Sequence, residues 1–319
     1  MIKTLVLYES RYGSTKNIAK ELALVLGPAR AFRVSEYSGN PDCFDFVVLC
    51  SPVYSEAIDP AMLAFAEKNA EILRGKRVVL VCICMAETQA KRYLEPLRRL
   101  LGESVELETS AQGVIDAGKL CKGDRELIEE FCAKTDASPG RMGGMSDEKL
   151  SKLCLAIKAI KERHGNIREE SLVKRHMEDF LSSHNTCVLA TGSGSRVRAT
   201  PIEYLYIDGF IYMLSEGGEK FANILVNPNV SIGICDPYRN MTELGGMQIS
   251  GTAVIVEVGS EEYKLVLKER NLDFEKISSM PMALNMLKIG ISKIEFLWLG
   301  YSKLGCDVRQ TIYSEGGKI

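Results

Sequence analysis

The chain has 319 residues, of which 46% are hydrophobic and 26% charged, and a net charge of -2. At roughly 150 residues per domain it is long enough for two cores. The even charge balance offers no footprint for nucleic acid or an anionic membrane surface, and no apolar run nears the ~20 residues that span a bilayer. Its start, Met1-Ile2-Lys3-Thr4, enters a strand without a basic leader, so a cytoplasmic protein that handles a small molecule is expected.

The first strand, Thr4 to Tyr8, breaks into Glu9-Ser10-Arg11-Tyr12-Gly13-Ser14-Thr15 before a helix over Lys16 to Leu26. Ser10, Ser14 and Thr15 offer hydroxyls, Gly13 lets the backbone curl around an anion, and the helix start supplies free N–H groups and a positive dipole end. This is a phosphate cradle without the Gly-Lys-Ser/Thr ending of a Walker loop or the three spaced glycines of a dinucleotide fingerprint. Further apolar strands follow at Phe46 to Cys50 and Val78 to Cys84, separated by helical patterns over Pro60 to Leu73 and Thr88 to Leu101. Strands apolar on both faces and alternating with helices predict a doubly wound α/β domain, whose ligand sits beyond the carboxyl ends of the strands. The loops Ser51-Pro52-Val53-Tyr54-Ser55 and Met85-Ala86-Glu87-Thr88 should therefore converge with the phosphate loop on one cleft. Taken alone, Tyr54 reads as a half-buried surface aromatic.

Residues 133–145 have loop chemistry. The domain is nevertheless expected to continue through an amphipathic helix over Asp147 to Arg163, acidic at its start and basic at its end, with His164 a helix-terminal cation before Gly165. Residues 1–165 form the first domain, 166–170 a linker and 171–319 the second. The ten cysteines lack paired ligand spacing and read as reduced, mostly buried thiols, with no metal site. Cys82 and Cys84 merely share a strand face.

In the second half a short helix from Ser171 is followed by alternating strands. These are Cys187 to Thr191, Arg198 to Ile207, Phe210 to Ser215, Val230 to Cys235, Met247 to Glu257 and Ile294 to Tyr301. Asp208-Gly209 marks a two-residue hairpin, and helices are expected over Glu219 to Val226 and Glu261 to Arg270. About six strands make a small antiparallel barrel. Arg198 and Thr200, followed by Pro201, and Ser215 and Lys220 around Glu216-Gly217-Gly218 offer a second set of anion-binding groups. Singly, Arg198 and Lys220 read as exposed charges.

Two resemblances accompany these patterns. Ser10-x-x-Gly13-x-Thr15, the Ser51 to Ser55 loop and Ala111-Gln112-Gly113-Val114-Ile115-Asp116 resemble a flavodoxin, with particular similarity to the protoporphyrinogen oxidase type. This implies FMN, its phosphate on residues 10–15 and its ring between Pro52-Val53-Tyr54-Ser55 and Met85-Ala86-Glu87, although the latter loop lacks a stacking aromatic. The stretches Asn185 to Thr191, Arg198 to Tyr204 and Ser215 to Lys220 resemble the pyridoxamine phosphate oxidase-like split barrels. That likeness implies FMN at a homodimer interface, with Arg198, Thr200, Ser215 and Lys220 around its phosphate and ribityl groups and Gln248 near its ring.

Together they imply two flavin modules in one chain and an FMN-dependent oxidoreductase, a flavin reductase or electron-transfer flavoprotein. NADH or NADPH would be the donor and a small molecule or protein the redox partner. No side-chain acid, base or nucleophile announces itself, since the cofactor would carry the chemistry. The alternatives are tetrapyrrole- or haem-related oxidation or degradation, for which three histidines weaken haem binding, and a non-catalytic flavin sensor or store.

Overall fold

The first apolar run forms β1 (Thr4–Tyr8), with all five residues buried. The computed structural model describes residues 1–135, 140–163, 170–240 and 243–314. Two compact units, Met1–His164 and Gly165–Ile319, divide the chain.

In the first unit β1 leads into α1 (Ser14–Val25), β2 (Ala29–Arg33), β3 (Phe46–Tyr54), β4 (Ala57–Ile58), α2 (Pro60–Lys68), α3 (Ala70–Arg74) and β5 (Arg77–Cys84). Then come α4 (Ala90–Leu101), β6 (Val105–Gln112), β7 (Val114–Asp116), α5 (Lys122–Thr135), β8 (Arg141–Gly143) and α6 (Asp147–Arg163). Five parallel strands run β2-β1-β3-β5-β6. Because successive strand residues face opposite ways, Leu5 and Leu7 pack with Met62, Leu94 and Leu97 on one side, while Val6 and Tyr8 pack with Ile18, Leu22, Cys154 and Ile157 on the other. Helices thus cover both faces, which explains why the central strands β1, β3 and β5 read as apolar runs.

The helix expected over Pro60 to Leu73 breaks at Asn69, whose φ of -111° and ψ of 19° leave the helical region and whose side-chain amide adds a hydrogen bond to the Phe65 carbonyl at 2.8 Å. The stretch 133–145 is not all loop: α5 extends to Thr135, and β8 pairs with β7. Strand β2 carries Arg30 and Arg33 on a half-buried edge and gives no apolar run to read. Helix α6 has the expected bounds, but Lys161 is buried rather than a solvent-facing terminal charge. Its ammonium donates to the Leu26 and Gly27 carbonyls, the latter at 3.0 Å, and so neutralises the end of α1, which has no basic residue in its own last turn. His164 and 166–169 of the expected linker lie outside the described residues, and Glu170 already belongs to a helix.

The second unit comprises α7 (Glu170–Ser183), β9 (Thr186–Ser193), β10 (Arg196–Glu203), β11 (Leu205–Ile207), β12 (Phe210–Ser215), α8 (Glu219–Val226) and β13 (Asn229–Cys235). It continues with β14 (Gly245–Val256), α9 (Glu261–Glu269), α10 (Phe274–Ser278), β15 (Asn285–Trp298), α11 (Gly300–Lys303) and β16 (Arg309–Tyr313). Among the described residues eight strands, rather than about six, form a curled antiparallel sheet ordered β10-β9-β13-β14-β15-β12-β11, with β16 on β15. Val230, Ile232 and Ile234 alternate inward along β13 into one core with Leu189, Ile249, Ile289 and Phe296. Asp208 and Gly209 both have positive φ, as the tight hairpin between β11 and β12 requires.

Tyr204 interrupts the expected Arg198 to Ile207 strand, its buried hydroxyl donating to the Leu181 carbonyl of α7 at 2.7 Å. Strand β15 starts nine residues before the expected Ile294 and ends at Trp298, where the chain turns into α11. A register shift at Ser250/Gly251 bends β14 against β15. Gly251 is obligatory there, since a Cβ would meet the Gly290 carbonyl oxygen at 2.4 Å. Among the described residues no helix is long and apolar enough to cross a membrane.

Candidate functional site

The chain leaves β1 at Glu9, which is 5% exposed. Burial pushes its carboxyl pKa up, but hydrogen bonds from Arg33, Ser10 and Ser35 outweigh this and hold it below the ordinary range. A carboxylate depressed in the folded state stabilises fully above its unfolded pKa, about 4.3, and loses that contribution as pH falls through the folded value. Glu9→Gln should therefore lower the urea midpoint at pH 7 and flatten its decline below about pH 4.5. Parallel acid profiles for both proteins would refute the assignment.

From Glu9 the loop closes on itself. Ser10 Oγ accepts from Gly13 N at 2.9 Å, and Gly13 adopts φ 93° at the start of α1. The Ser14, Thr15 and Lys16 amides at the helix start have no intrahelical acceptor, and among the described residues no side chain caps the helix and no acidic residue stands in its first turn. Ser14 Oγ accepts from Val114 N at 2.9 Å, which fastens the loop to the segment after β6. Thr15 is 1% exposed.

Tyr54 stands at the end of β3, where the Ser55-Glu56 turn adopts φ 49° and 63° and Glu56 accepts a hydrogen bond from Tyr93 at 2.9 Å. Arg11 N donates to the Tyr54 hydroxyl at 3.1 Å, and its guanidinium lies 4.5 Å above the Tyr54 ring. Tyr12 meets that ring edge-on at 6.5 Å and donates to Asp124 of α5. Burial raises the Tyr54 pKa, and the bond to Asp124 raises that of Tyr12, so both stay neutral phenols.

These elements enclose a cavity of about 560 Å³ beyond the carboxyl ends of the parallel strands. Tyr12, Ser14, Thr15, Pro52, Val53, Tyr54, Ser55 and Met85 line it. Ser10, Arg11 and Gly13 form the loop behind, whereas Ala86 and Glu87 lie outside the lining. Glu56, Ile83, Cys84, Gly113, Val114, Ile115, Leu120, Asp124, Leu127 and Ile128 complete the wall. The α5 contributors were not singled out from sequence. Their only signal is the spacing Asp124, Leu127, Ile128, which is that of an ordinary helix face.

The second set is gathered more loosely. Arg198 and Thr200 share a face of β10, and Arg198 pairs with Glu219 at 2.9 Å at the start of α8. Lys220 is buried and donates to the Gly217 carbonyl at 2.5 Å, within the turn that Ser215 Oγ braces through Gly217 N at 3.2 Å. Burial, then the Arg198 charge, lowers the Lys220 pKa. Thr200 Oγ1 is buried and has no hydrogen-bond partner among the described residues. Pro201 and Gln248 do not join them. They lie in the row Pro201-Val188-Gly233-Gln248, whereas Thr200 lies in the neighbouring row Thr200-Leu189-Ile232-Ile249, which faces the core. Adjacent rows of a sheet point to opposite faces.

The described histidines are engaged. His184 meets the Phe180 carbonyl at 2.8 Å and Asp236 at 3.0 Å, and His176 packs 4.9 Å from Trp298.

Residues 5–139 match the flavodoxin domain family, and residues 173–298 match the pyridoxamine 5'-phosphate oxidase family. Among solved structures, the haem storage protein HutZ of Vibrio cholerae is 19% identical over 36% of this chain and 87% of its own, with a TM-score of 0.32. A FAD-binding protein of Mesorhizobium loti is 19% identical over 37% and 88%, with a TM-score of 0.30. Campylobacter jejuni ChuZ is 19% identical over 55% and 71%, with a TM-score of 0.37. No curated protein matches. The chain is therefore a fusion of two flavin-associated modules, a flavodoxin-like domain and a pyridoxamine 5'-phosphate oxidase-like split barrel.

Proposed function

We propose that the chain is an FMN-dependent oxidoreductase whose flavodoxin-like unit holds the flavin in the 560 Å³ cavity. One observation carries this reading: uncapped helix amides and the buried Thr15 adjoin an apolar cavity bounded by Tyr54 and Met85. An anion at the helix start would satisfy the free amides and meet the positive dipole end. Tyr54, clamped by Arg11 and Tyr12, would orient a planar ring, and the apolar walls from Val53, Ile83 and Val114 would keep water from it. A bound flavin would supply the electron chemistry, and no acid or base among the cavity residues is required for it.

The split barrel fits a second FMN phosphate, because among the described residues Thr200 Oγ1 lacks a partner and the buried Lys220 ammonium donates to a neutral carbonyl, with no carboxylate in direct ion-pair contact. An anion there would relieve both. The outer sheet face exposes Val188, Val197, Pro201 and Gly233, small or apolar groups that suit pairing with a second copy. The physiological assembly is thus a homodimer drawing electrons from NADH or NADPH and passing them to a soluble small molecule or protein.

The test is FMN per chain in purified protein, repeated for Thr15→Val and Lys220→Ala, with each preparation sized by sedimentation. Two FMN per chain are expected, one being lost in each variant, and a dimer throughout. Unchanged stoichiometry in both variants would refute the two cradles, and a monomer with its flavin retained would refute the dimer.

A further inference from the structure

The cavity wall contains a pair of thiols that flavin binding does not require. Cys82 and Cys84 project from the same face at the end of β5, with their sulfurs 3.9 Å apart. Cys84 is 6% exposed and lines the cavity, while Cys82 is 0% exposed behind it. Two strand residues apart, their Cα atoms are separated by about 6.6 Å, at the upper end of the range a disulfide tolerates. Cys84 is the last residue of β5 and pairs only with Gln112 of β6, whereas Cys82 is paired on both sides, so closure of the pair would move the strand end.

We propose that Cys82 and Cys84 are a redox-active dithiol that exchanges two electrons with a flavin bound in this cavity. The proposal rests on the functional reading above. Closing the pair breaks two S–H bonds and forms one S–S bond. The two electrons and two protons released reduce an oxidised flavin, and the reverse step reopens the disulfide. The Cys82 thiol, facing Cys84, pulls the Cys84 pKa below the ordinary thiol range, although burial and Glu87 push the other way. The thiol on the cavity side is thereby the better nucleophile, as exchange requires. Among the described residues no other two thiols are in hydrogen-bonding contact: burial and then Cys154 push the Cys50 pKa up, and burial raises that of Cys187.

The test uses the full chain. Reduced protein is oxidised anaerobically with stoichiometric diamide, free thiols are blocked with iodoacetamide, and the tryptic peptide 78–91, which contains Cys82 and Cys84 and no other cysteine, is weighed. The peptide should lose two hydrogens and escape alkylation before Cys50 or Cys154 reacts. Alkylation of both its thiols overturns the pair. The diamide-oxidised chain and Cys82→Ser are then loaded with FMN and titrated anaerobically with dithionite. The wild type should take up two more electrons per chain than the variant before the flavin's visible absorbance is bleached, with peptide 78–91 recovering both thiols. Equal uptake in FMN-loaded protein overturns the exchange alone, whereas a chain that binds no FMN defeats the functional reading together with it.

Discussion

Phe296→Ala is expected to destabilise the split-barrel unit by about 3–5 kcal/mol, the usual cost of truncating a buried aromatic. Phe296 is 1% exposed on β15, the strand that joins β14, β12 and β16. Its ring lies 4.7 Å from Phe180 of α7, 5.7 Å and edge-on from Tyr301, and parallel to Trp298 at 6.5 Å. Removing it leaves a cavity among groups fixed to three different elements, so collapse cannot fill it cheaply. Trp298 is the only tryptophan in the chain and sits in this cluster, so its fluorescence reports the unfolding of this unit. A loss below about 1 kcal/mol in urea would show that the aromatic cluster does not stabilise the barrel as argued.

Gly13→Val is expected to weaken FMN binding by the flavodoxin-like unit at least about a hundredfold, the equivalent of losing one or two charge-assisted hydrogen bonds. With φ at 93°, Gly13 holds a conformation that a β-branched residue resists. A valine there would rotate the peptide toward negative φ, carrying the Gly13 amide off Ser10 Oγ and the Ser14 and Thr15 amides out of line. Space is not the issue, since a Cβ at Gly13 meets nothing within 4 Å. Gly13→Asn separates the two causes because asparagine tolerates left-handed backbone. It should retain most of the affinity that valine loses. Calorimetric titration with FMN reads both variants, and equal affinity for wild type and Gly13→Val would remove the loop from the site.

Elements whose cause is local were legible in the sequence. The turn at Gly13, the hairpin at Asp208-Gly209 and the charge-graded helix Asp147–Arg163 each depend on residues a few positions apart. The strand runs Thr4 to Tyr8 and Val78 to Cys84 were visible because both faces are buried and almost every residue reports it. Strands β2 and β16 were not, because edge strands with half-exposed arginines owe their pairing to neighbours rather than to their own pattern.

The same division runs through the site. Local sequence determined the phosphate-loop chemistry at Ser10 to Thr15 and the turn that presents Tyr54. Only the tertiary structure decided that Tyr12 reaches Asp124 across 112 positions, that Ser14 binds Val114 across 100, and that Gln248 faces away from Thr200. Such contacts are selected by sheet order and strand register, which bring distant segments together and fix the face each side chain takes.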